Sequence, residues 1–148
     1  MSSLLTNLIN IEYLTGLKSS NAVLLRAGTR DYLFTDGRYL EKAQKIAALG
    51  KGRLGRFTVI NMGTDFQEKL KNLLKKHRIK TLEYEAGNLT VQRFEIFKKW
   101  TRGAPAQGAR SVKWTPGVED VWTQRACKEM SEIKALKKSQ EINEQLFY

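Results

Sequence analysis

The chain has 148 residues, of which 41% are hydrophobic, so it can build a folded domain and is not a wholly disordered chain. A single cysteine, Cys127, and a single histidine, His77, exclude an intrachain disulfide and a zinc site made of histidine and cysteine, and they fit a reducing, cytoplasmic location. The 26 basic residues outnumber the 15 acidic ones, and this net charge of +11 suggests an anionic partner.

The first part of the chain predicts a β-hairpin followed by a helix. A short apolar strand at residues 4–6 is expected to end in a loop at residues 7–10. Two strands at residues 22–26 and 31–35 flank a Gly-Thr-Arg turn, which is a hairpin pattern. Asp36 is the predicted N-cap of the next helix. One face of that helix carries the apolar residues Leu40, Ala43, Ile46 and Ala47.

The middle of the chain alternates strands and helices. Residues 57–61 predict a strand, and Thr64 with Gln67 three residues later has the form of a capping box that starts a helix. That helix is expected to end near His77. A strand at residues 81–84 and a helix capped by Thr90 follow.

The last third of the chain is expected to begin with a loop at residues 103–108 and a turn at residues 116–117. Trp114 is expected in a loop and Trp122 in a last strand. Residues 129–148 predict an amphipathic helix whose apolar stripe needs a packing partner. Strands that alternate with helices after an opening hairpin predict an α/β fold with a mixed sheet.

Two features leave a nucleic-acid-binding module open as an alternative. Basic residues concentrate at residues 38–56 and 69–80, although such runs are commonly the solvated faces of helices. The three tryptophans could stack on bases, although burial in a core is the more common role. Residues 50–55 have the Gly-x-Gly-x-x-Gly spacing of a dinucleotide-binding fingerprint, which needs the glycines after a strand and at the start of a helix. Here they follow a predicted helix and precede a strand, so we interpret them as a basic loop and not as a nucleotide site. No apolar run has the roughly 20 residues that cross a bilayer, and no membrane partner is expected.

Arg38 is the most informative candidate site residue. Asp36 can cap the helix and Gly37 permits a tight turn from strand to helix, so Arg38 projects from the first helical turn at the edge of the sheet. Two interpretations remain open. The guanidinium either pairs with a local carboxylate or is presented, with its bidentate geometry, to a carboxylate or carbonyl of a ligand.

Three motifs lie in the first half of the chain: Asn-Ile-Glu-Tyr-Leu-Thr-Gly-Leu at residues 10–17, Ser-Asn-Ala-Val-Leu-Leu at 20–25, and Tyr-Leu-Phe-Thr-Asp-Gly-Arg-Tyr at 32–39. Together they resemble the N-terminal domain of the creatinase, prolidase and Xaa-Pro aminopeptidase family. Residues 82–86 and 125–133 are similar to later segments of the same family. The resemblance therefore covers almost the whole chain.

The resemblance implies a ribonuclease H-like mixed β-sheet flanked by helices at residues 1–124. Residues 125–148 would form a linker and the first helix of a catalytic domain that these 148 residues do not contain. The resemblance places two divalent metal ions, such as Mn²⁺, in that domain, held by two Asp, a His and two Glu. It therefore implies no catalytic residue, cofactor or metal site in this chain, which by itself is expected to be inactive.

The resemblance also implies substrate-binding roles for Arg38, Asn21 and Tyr39, with Arg38 reaching the substrate of a neighbouring subunit. The implied partners are the chain's own catalytic domain, a second subunit and a proline-containing peptide. The domain would build oligomer contacts and narrow access to the active site of a cytoplasmic Xaa-Pro aminopeptidase or dipeptidase. A stand-alone nucleic-acid-binding module and the N-terminal domain of a creatinase-type amidinohydrolase remain the alternatives.

Overall fold

Strands and helices alternate through most of the chain in a computed structural model that describes residues 2–102, 111–117 and 119–147. Two units, Met1–Val118 and Glu119–Tyr148, each make most of their contacts internally. In chain order the elements are β1 (Ser2–Leu5), α1 (Leu8–Thr15), β2 (Ala22–Ala27), β3 (Arg30–Thr35), α2 (Gly37–Leu49), β4 (Thr58–Asn61), α3 (Phe66–Lys76), β5 (Thr81–Tyr84), α4 (Val91–Thr101), β6 (Lys113–Pro116), α5 (Glu119–Ala126) and α6 (Met130–Phe147).

The strands form one mixed sheet in the order β4-β3-β2-β1-β5-β6. β2 runs antiparallel to both β1 and β3, and the other neighbours are parallel. The mixed α/β fold and the β2–β3 hairpin are thus confirmed. Every strand except β2 ends at the same edge of the sheet, where β2 begins, and we call this the carboxyl edge. Thr6, Asn21, Asp36 and Glu85 all lie there, next to strand ends.

Apolar side chains cover both faces of the sheet. On one face Val23 and Phe34 join a core cluster with Phe66, Leu70 and Phe97 from α3 and α4. Successive strand residues point to opposite faces. The alternate positions Leu5, Leu24 and Leu33 are fully buried as well. Burial on both faces explains why the central strands read as continuous apolar runs.

Helix α1 corrects the prediction of a loop at residues 7–10. Asn7 is its N-cap, and the Asn7 side chain accepts hydrogen bonds from the backbone N–H of Ile9 at 3.0 Å and Asn10 at 3.4 Å. Gly16 ends the helix in the left-handed conformation, with φ of 77°. The two asparagines suggested a loop because an eight-residue helix is too short to show a clear apolar period.

The predicted N-cap is present in α2 and absent in α3. Asp36 caps α2 as predicted, and Ala43 and Ala47 lie buried on the predicted apolar face. The prediction of a capping box that starts at Thr64 is wrong. Helix α3 begins at Phe66, and its N-cap, Asp65, makes no side-chain capping bond. The Asp65 carboxylate instead pairs with Lys69 one turn later, at 2.8 Å.

The later elements follow the predictions with two corrections. β5 has its predicted bounds, α3 ends before His77, and Thr90 caps α4. Trp114 lies in β6 rather than in a loop, and Trp122 lies in α5 rather than in a strand. The β-branched and aromatic residues around Trp122 have the composition of a strand, which hid the helix. The loop predicted at residues 103–108 lies outside the described residues.

The second unit contains α5 and α6. Helix α6 confirms the predicted C-terminal helix to within one residue at each end. Four of its apolar side chains are exposed by half or more: Met130, Leu136, Ile142 and Leu146. The domain boundary expected after residue 124 stays a prediction. None of the helices in the described part of the chain is long and apolar enough to cross a membrane.

Candidate functional site

The carboxyl edge of the sheet brings Asn21, Arg38 and Tyr39 together. Asn21 immediately precedes β2, while Arg38 and Tyr39 lie in the first turn of α2, just after β3. The two positions meet because Ala22 of β2 pairs with Thr35 of β3. Residues separated by 17 positions in the sequence therefore form one surface cluster.

The Arg38 guanidinium is held in a two-point contact with Asp36. Arg38 Nε donates to Asp36 Oδ1 at 3.1 Å, and Nη2 donates to Oδ2 at 2.9 Å. The backbone N–H of Arg38 also donates to Oδ1, at 3.0 Å. Of the two interpretations of Arg38, the local ion pair is therefore present. The side chain is nonetheless 69% exposed, so the pair fixes its direction while leaving it open to solvent.

Ser20 and Tyr39 complete this cluster. The Ser20 hydroxyl lies 3.0 Å from the Tyr39 hydroxyl, and Arg38 Nη2 reaches Ser20 Oγ at 3.5 Å. The Arg38 guanidinium carbon lies 5.3 Å from the centre of the Tyr39 ring, within the range of a cation–π contact. The hydrogen bond with Ser20 lowers the pKa of Tyr39. The cluster therefore presents a cation, a hydroxyl and an aromatic ring on one surface.

The backbone at Asn21 is fixed by β3. Thr35 Oγ1 donates to the Asn21 carbonyl oxygen at 2.9 Å, and Thr35 is fully buried. Asn21 is thereby held beside Asp36, and the Asn21 side chain contributes to the lowered pKa of that carboxyl group after the larger effect of Arg38. The three residues that the resemblance implied for substrate binding are adjacent, and their roles stay predictions.

Asp36 gives a direct test of the pair with Arg38. The hydrogen bonds and charge of Arg38 lower the pKa of Asp36 from 3.8 to about 2. Because the pKa of Asp36 is lower in the folded chain than in the unfolded chain, the ionised carboxylate stabilises the fold at pH values above the unfolded-state pKa. This stabilisation is lost as the pH falls toward 2. We expect a carboxyl NMR titration of Asp36 to show a midpoint near 2 and the Arg38→Ala variant to return it toward 3.8. An unchanged midpoint in the variant would show that Arg38 does not hold the carboxylate.

A buried carboxylate, Glu85, fixes the start of α1 to the end of β5. Glu85 Oε2 accepts from the backbone N–H of Thr6 at 2.6 Å and of Asn7 at 2.7 Å. Glu85 Oε1 accepts from the side-chain amide of Asn10 at 2.6 Å. In the sequence, Glu85 and Asn10 stand out only as parts of the family-like segments at residues 82–86 and 10–17. The one sequence signal for a structural role of Glu85 was its position directly after the strand at residues 81–84.

The glycine-rich residues 50–55 pack against the end of α1. The backbone N–H of Leu54 donates to the carbonyl oxygen of Leu14 at 3.0 Å. Gly52 has φ of +104°, and a Cβ there would lie 2.6 Å from the carbonyl carbon and oxygen of Thr15. The predicted interpretation as a loop between helix and strand is confirmed. The glycine spacing serves this close approach of two backbone segments.

The described residues do not fit a metal centre. Within residues 2–102, 111–117 and 119–147 no three His, Cys, Asp or Glu side chains are placed to hold an ion together. The site therefore consists of hydrogen-bonding groups and the guanidinium of Arg38.

The fold agrees with a match to a known family. The family model described as Creatinase/Prolidase N-terminal domain matches residues 2–127. The chain belongs to this family. No curated protein sequence matches the chain. The resemblance carried by the motifs at residues 10–17, 20–25 and 32–39 is thus confirmed.

Solved structures with the same fold include whole peptidases and an isolated domain. The Xaa-Pro dipeptidase from Bacillus anthracis is 25% identical over 93% of this chain and 34% of its own, with a TM-score of 0.75. The X-Pro aminopeptidase from Thermotoga maritima MSB8 is 24% identical over 99% of this chain and 37% of its own, with a TM-score of 0.75. The chain therefore spans about a third of the length of these enzymes.

A separately solved domain shares the fold over most of its length. The N-terminal domain of the cytoplasmic peptidase PepQ from Mycobacterium tuberculosis H37Rv is 23% identical, with a TM-score of 0.64. The match covers 82% of this chain and 85% of that domain. The chain thus has the fold of the N-terminal domains of Xaa-Pro peptidases.

Proposed function

We propose that this chain is the N-terminal, non-catalytic domain of a cytoplasmic Xaa-Pro aminopeptidase or dipeptidase. The observation that carries this proposal is the family match over residues 2–127, together with the fold shared with the Xaa-Pro dipeptidase from Bacillus anthracis. The hydrolytic chemistry, with its two divalent metal ions, would belong to the catalytic domain that the family resemblance implies.

The carboxyl edge would act as a wall of the substrate channel. Asp36 occupies Nε and Nη2 of Arg38, which leaves the Nη1 edge of the guanidinium to donate to a peptide carbonyl or carboxylate. Asn21 and Tyr39 flank this cation and contact the same peptide. A fixed cation anchors one end of a short, proline-containing substrate, and a wall excludes longer chains.

The exposed apolar side chains of helix α6 favour a binding partner for the chain. These side chains would be buried against the catalytic domain, since most helical stability comes from burying such a face. A second subunit would place the carboxyl edge of one chain near the active site of the other. In this arrangement Arg38 contacts substrate across the subunit boundary.

The basic residues give less support to a nucleic-acid-binding module. Arg38, Lys45 and Lys69 are each paired with a nearby carboxylate. Trp100 packs edge-on against Phe66 and Phe97, and Trp114 is in ring contact with Phe97. Two of the three tryptophans are therefore part of the core packing and not a stacking surface.

Peptidase assays test the proposed function. We expect the 148-residue chain to release no amino acid from an Xaa-Pro peptide with added Mn²⁺, and the protein in which it precedes a catalytic domain to do so. Cleavage of creatine by that longer protein would favour the amidinohydrolase alternative. Tight duplex binding by the chain near physiological salt, weakening steeply as salt rises, would favour the nucleic-acid-binding module.

A further inference from the structure

A second polar feature of the carboxyl edge lies beside Asn21. An open cleft of about 350 Å³ runs between the start of α1 and the start of α4. Ser20 and Asn21 line it on the side of the Arg38 cluster. Asn7, Asn88 and Arg93 are among the residues that line it elsewhere. The volume lies at the lower end of the range for small-molecule sites, roughly 300–1,000 Å³.

Among the described residues, Arg93 is the one charged side chain that lines this cleft. It is half-buried, and burial lowers the pKa of its guanidinium. Among the described residues no carboxylate lies within ion-pair distance of it, whereas Arg26 and Arg38 each have an aspartate partner. Its guanidinium carbon lies 5.6 Å from the centre of the Phe97 ring. A partly desolvated cation without a counter-ion is unfavourable unless a ligand supplies the negative charge.

The neighbouring polar groups favour an anion. The side-chain oxygen of Asn7, Oδ1, already accepts two hydrogen bonds from backbone N–H groups. The side-chain nitrogen, Nδ2, therefore remains to donate to a ligand. The Asn88 amide nitrogen donates one of its two hydrogens to Thr6 Oγ1 at 3.1 Å. The nearby Glu85 does not line the cleft, and both of its oxygens are occupied by donors. The cleft is therefore rich in donors, and no carboxylate of the described residues lines it.

We propose that this cleft binds the carboxylate of a short peptide, with Arg93 as the counter-ion and Asn7 and Asn88 as further donors. The identity of the ligand as a peptide rests on the proposed function. A guanidinium accepts a carboxylate through two parallel hydrogen bonds. A phosphate dianion would leave charge uncompensated, because no second cation of the described part of the chain lines the cleft. Ser20 and Asn21 line this cleft beside the Arg38 cluster, so the edge carries two anchoring points.

Titration of the 148-residue chain with matched probes tests the site. We expect acetyl-Gly-Pro with a free carboxylate to shift the backbone NMR signals of Asn7 and Asn88 saturably, and its C-terminal amide to shift them at least tenfold more weakly. Because this comparison uses the unaltered chain, it does not depend on the folding of any variant. Equal binding of acid and amide, or binding of neither, would overturn the proposal.

Variants of Arg93 test whether its charge binds the carboxylate. We expect Arg93→Gln to weaken binding of the free acid at least tenfold, and Arg93→Lys to retain part of it. Lys99→Gln removes the same charge from the exposed end of α4 and should bind as the unaltered chain does. Equal binding by Arg93→Gln, or tighter binding of inorganic phosphate than of the peptide, would contradict the assignment. Binding by the chain combined with an inactive longer protein would retain this site and reject the proposed function.

Discussion

Replacement of Glu85 by alanine is expected to lower the free energy of unfolding of the first unit by about 3–5 kcal/mol, since each buried donor left without a partner costs about 1–3 kcal/mol. Three donors lose their acceptor: the backbone N–H groups of Thr6 and Asn7 and the side-chain amide of Asn10. Glu85 itself is 7% exposed, so water reaches these donors poorly in the folded chain. For a unit of this size the melting temperature should fall by about 10–20 °C.

Urea unfolding of two further variants separates this effect from the loss of a surface charge. Glu41→Ala removes an equally charged but exposed side chain, whose pair with Lys45 is a surface ion pair, and should change stability by less than about 0.5 kcal/mol. Glu85→Gln keeps the shape but turns one acceptor into a donor, so its effect should lie between the other two. A Glu85→Ala chain as stable as Glu41→Ala would show that the three hydrogen bonds are replaced by water.

Sequence patterns predicted the elements whose signals are local. The β2–β3 hairpin has its turn residues and both apolar strands within 14 positions, and Asp36 and Thr90 each cap a helix within three residues of themselves. Such signals depend on backbone geometry that the neighbouring residues determine. The family motifs added the expectation of a ribonuclease H-like mixed sheet, whereas the strand order comes only from the structure.

The features that sequence patterns missed depend on contacts between distant residues. Glu85 and Asn10 are 75 positions apart, and nothing near either residue indicates the other. Helix α1 is stabilised from outside by this contact and is too short to show a period of its own. Arg93 was missed for a related reason, since only the folded chain shows that it lies in a cleft that none of the described carboxylates lines.

The two sequence interpretations of Arg38 turn out to be compatible. The local ion pair with Asp36 exists, and it uses only two of the three guanidinium nitrogens. A guanidinium that is held by one carboxylate loses less conformational entropy when it binds another group. Asp36 is therefore a positioning residue for Arg38 in the proposed function, and a purely structural role for both residues makes a different kinetic prediction.

In the protein that joins this domain to its catalytic domain, Arg38→Ala is expected to lower kcat/KM for an Xaa-Pro peptide by roughly tenfold to a hundredfold, the usual effect of losing one charge-assisted contact to substrate. The melting temperature of the 148-residue chain should change by no more than a few degrees, because the side chain is 69% exposed. Arg38→Lys should restore only part of the activity, since an ammonium lacks the planar fork. Asp36→Asn should lower kcat/KM less than Arg38→Ala, because the cation remains but is no longer fixed.

Arg30 provides the matched control for this kinetic experiment. It is an exposed arginine at the start of β3, whereas Arg38 follows the end of the same strand, so the two lie at opposite edges of the sheet. Arg30→Ala changes the net charge by the same amount and should leave kcat/KM unchanged. Equal losses in both variants would indicate a general effect of charge on the approach of the substrate. Unchanged kinetics in Arg38→Ala would remove Arg38 from the substrate channel and leave its pair with Asp36 as the whole of its role.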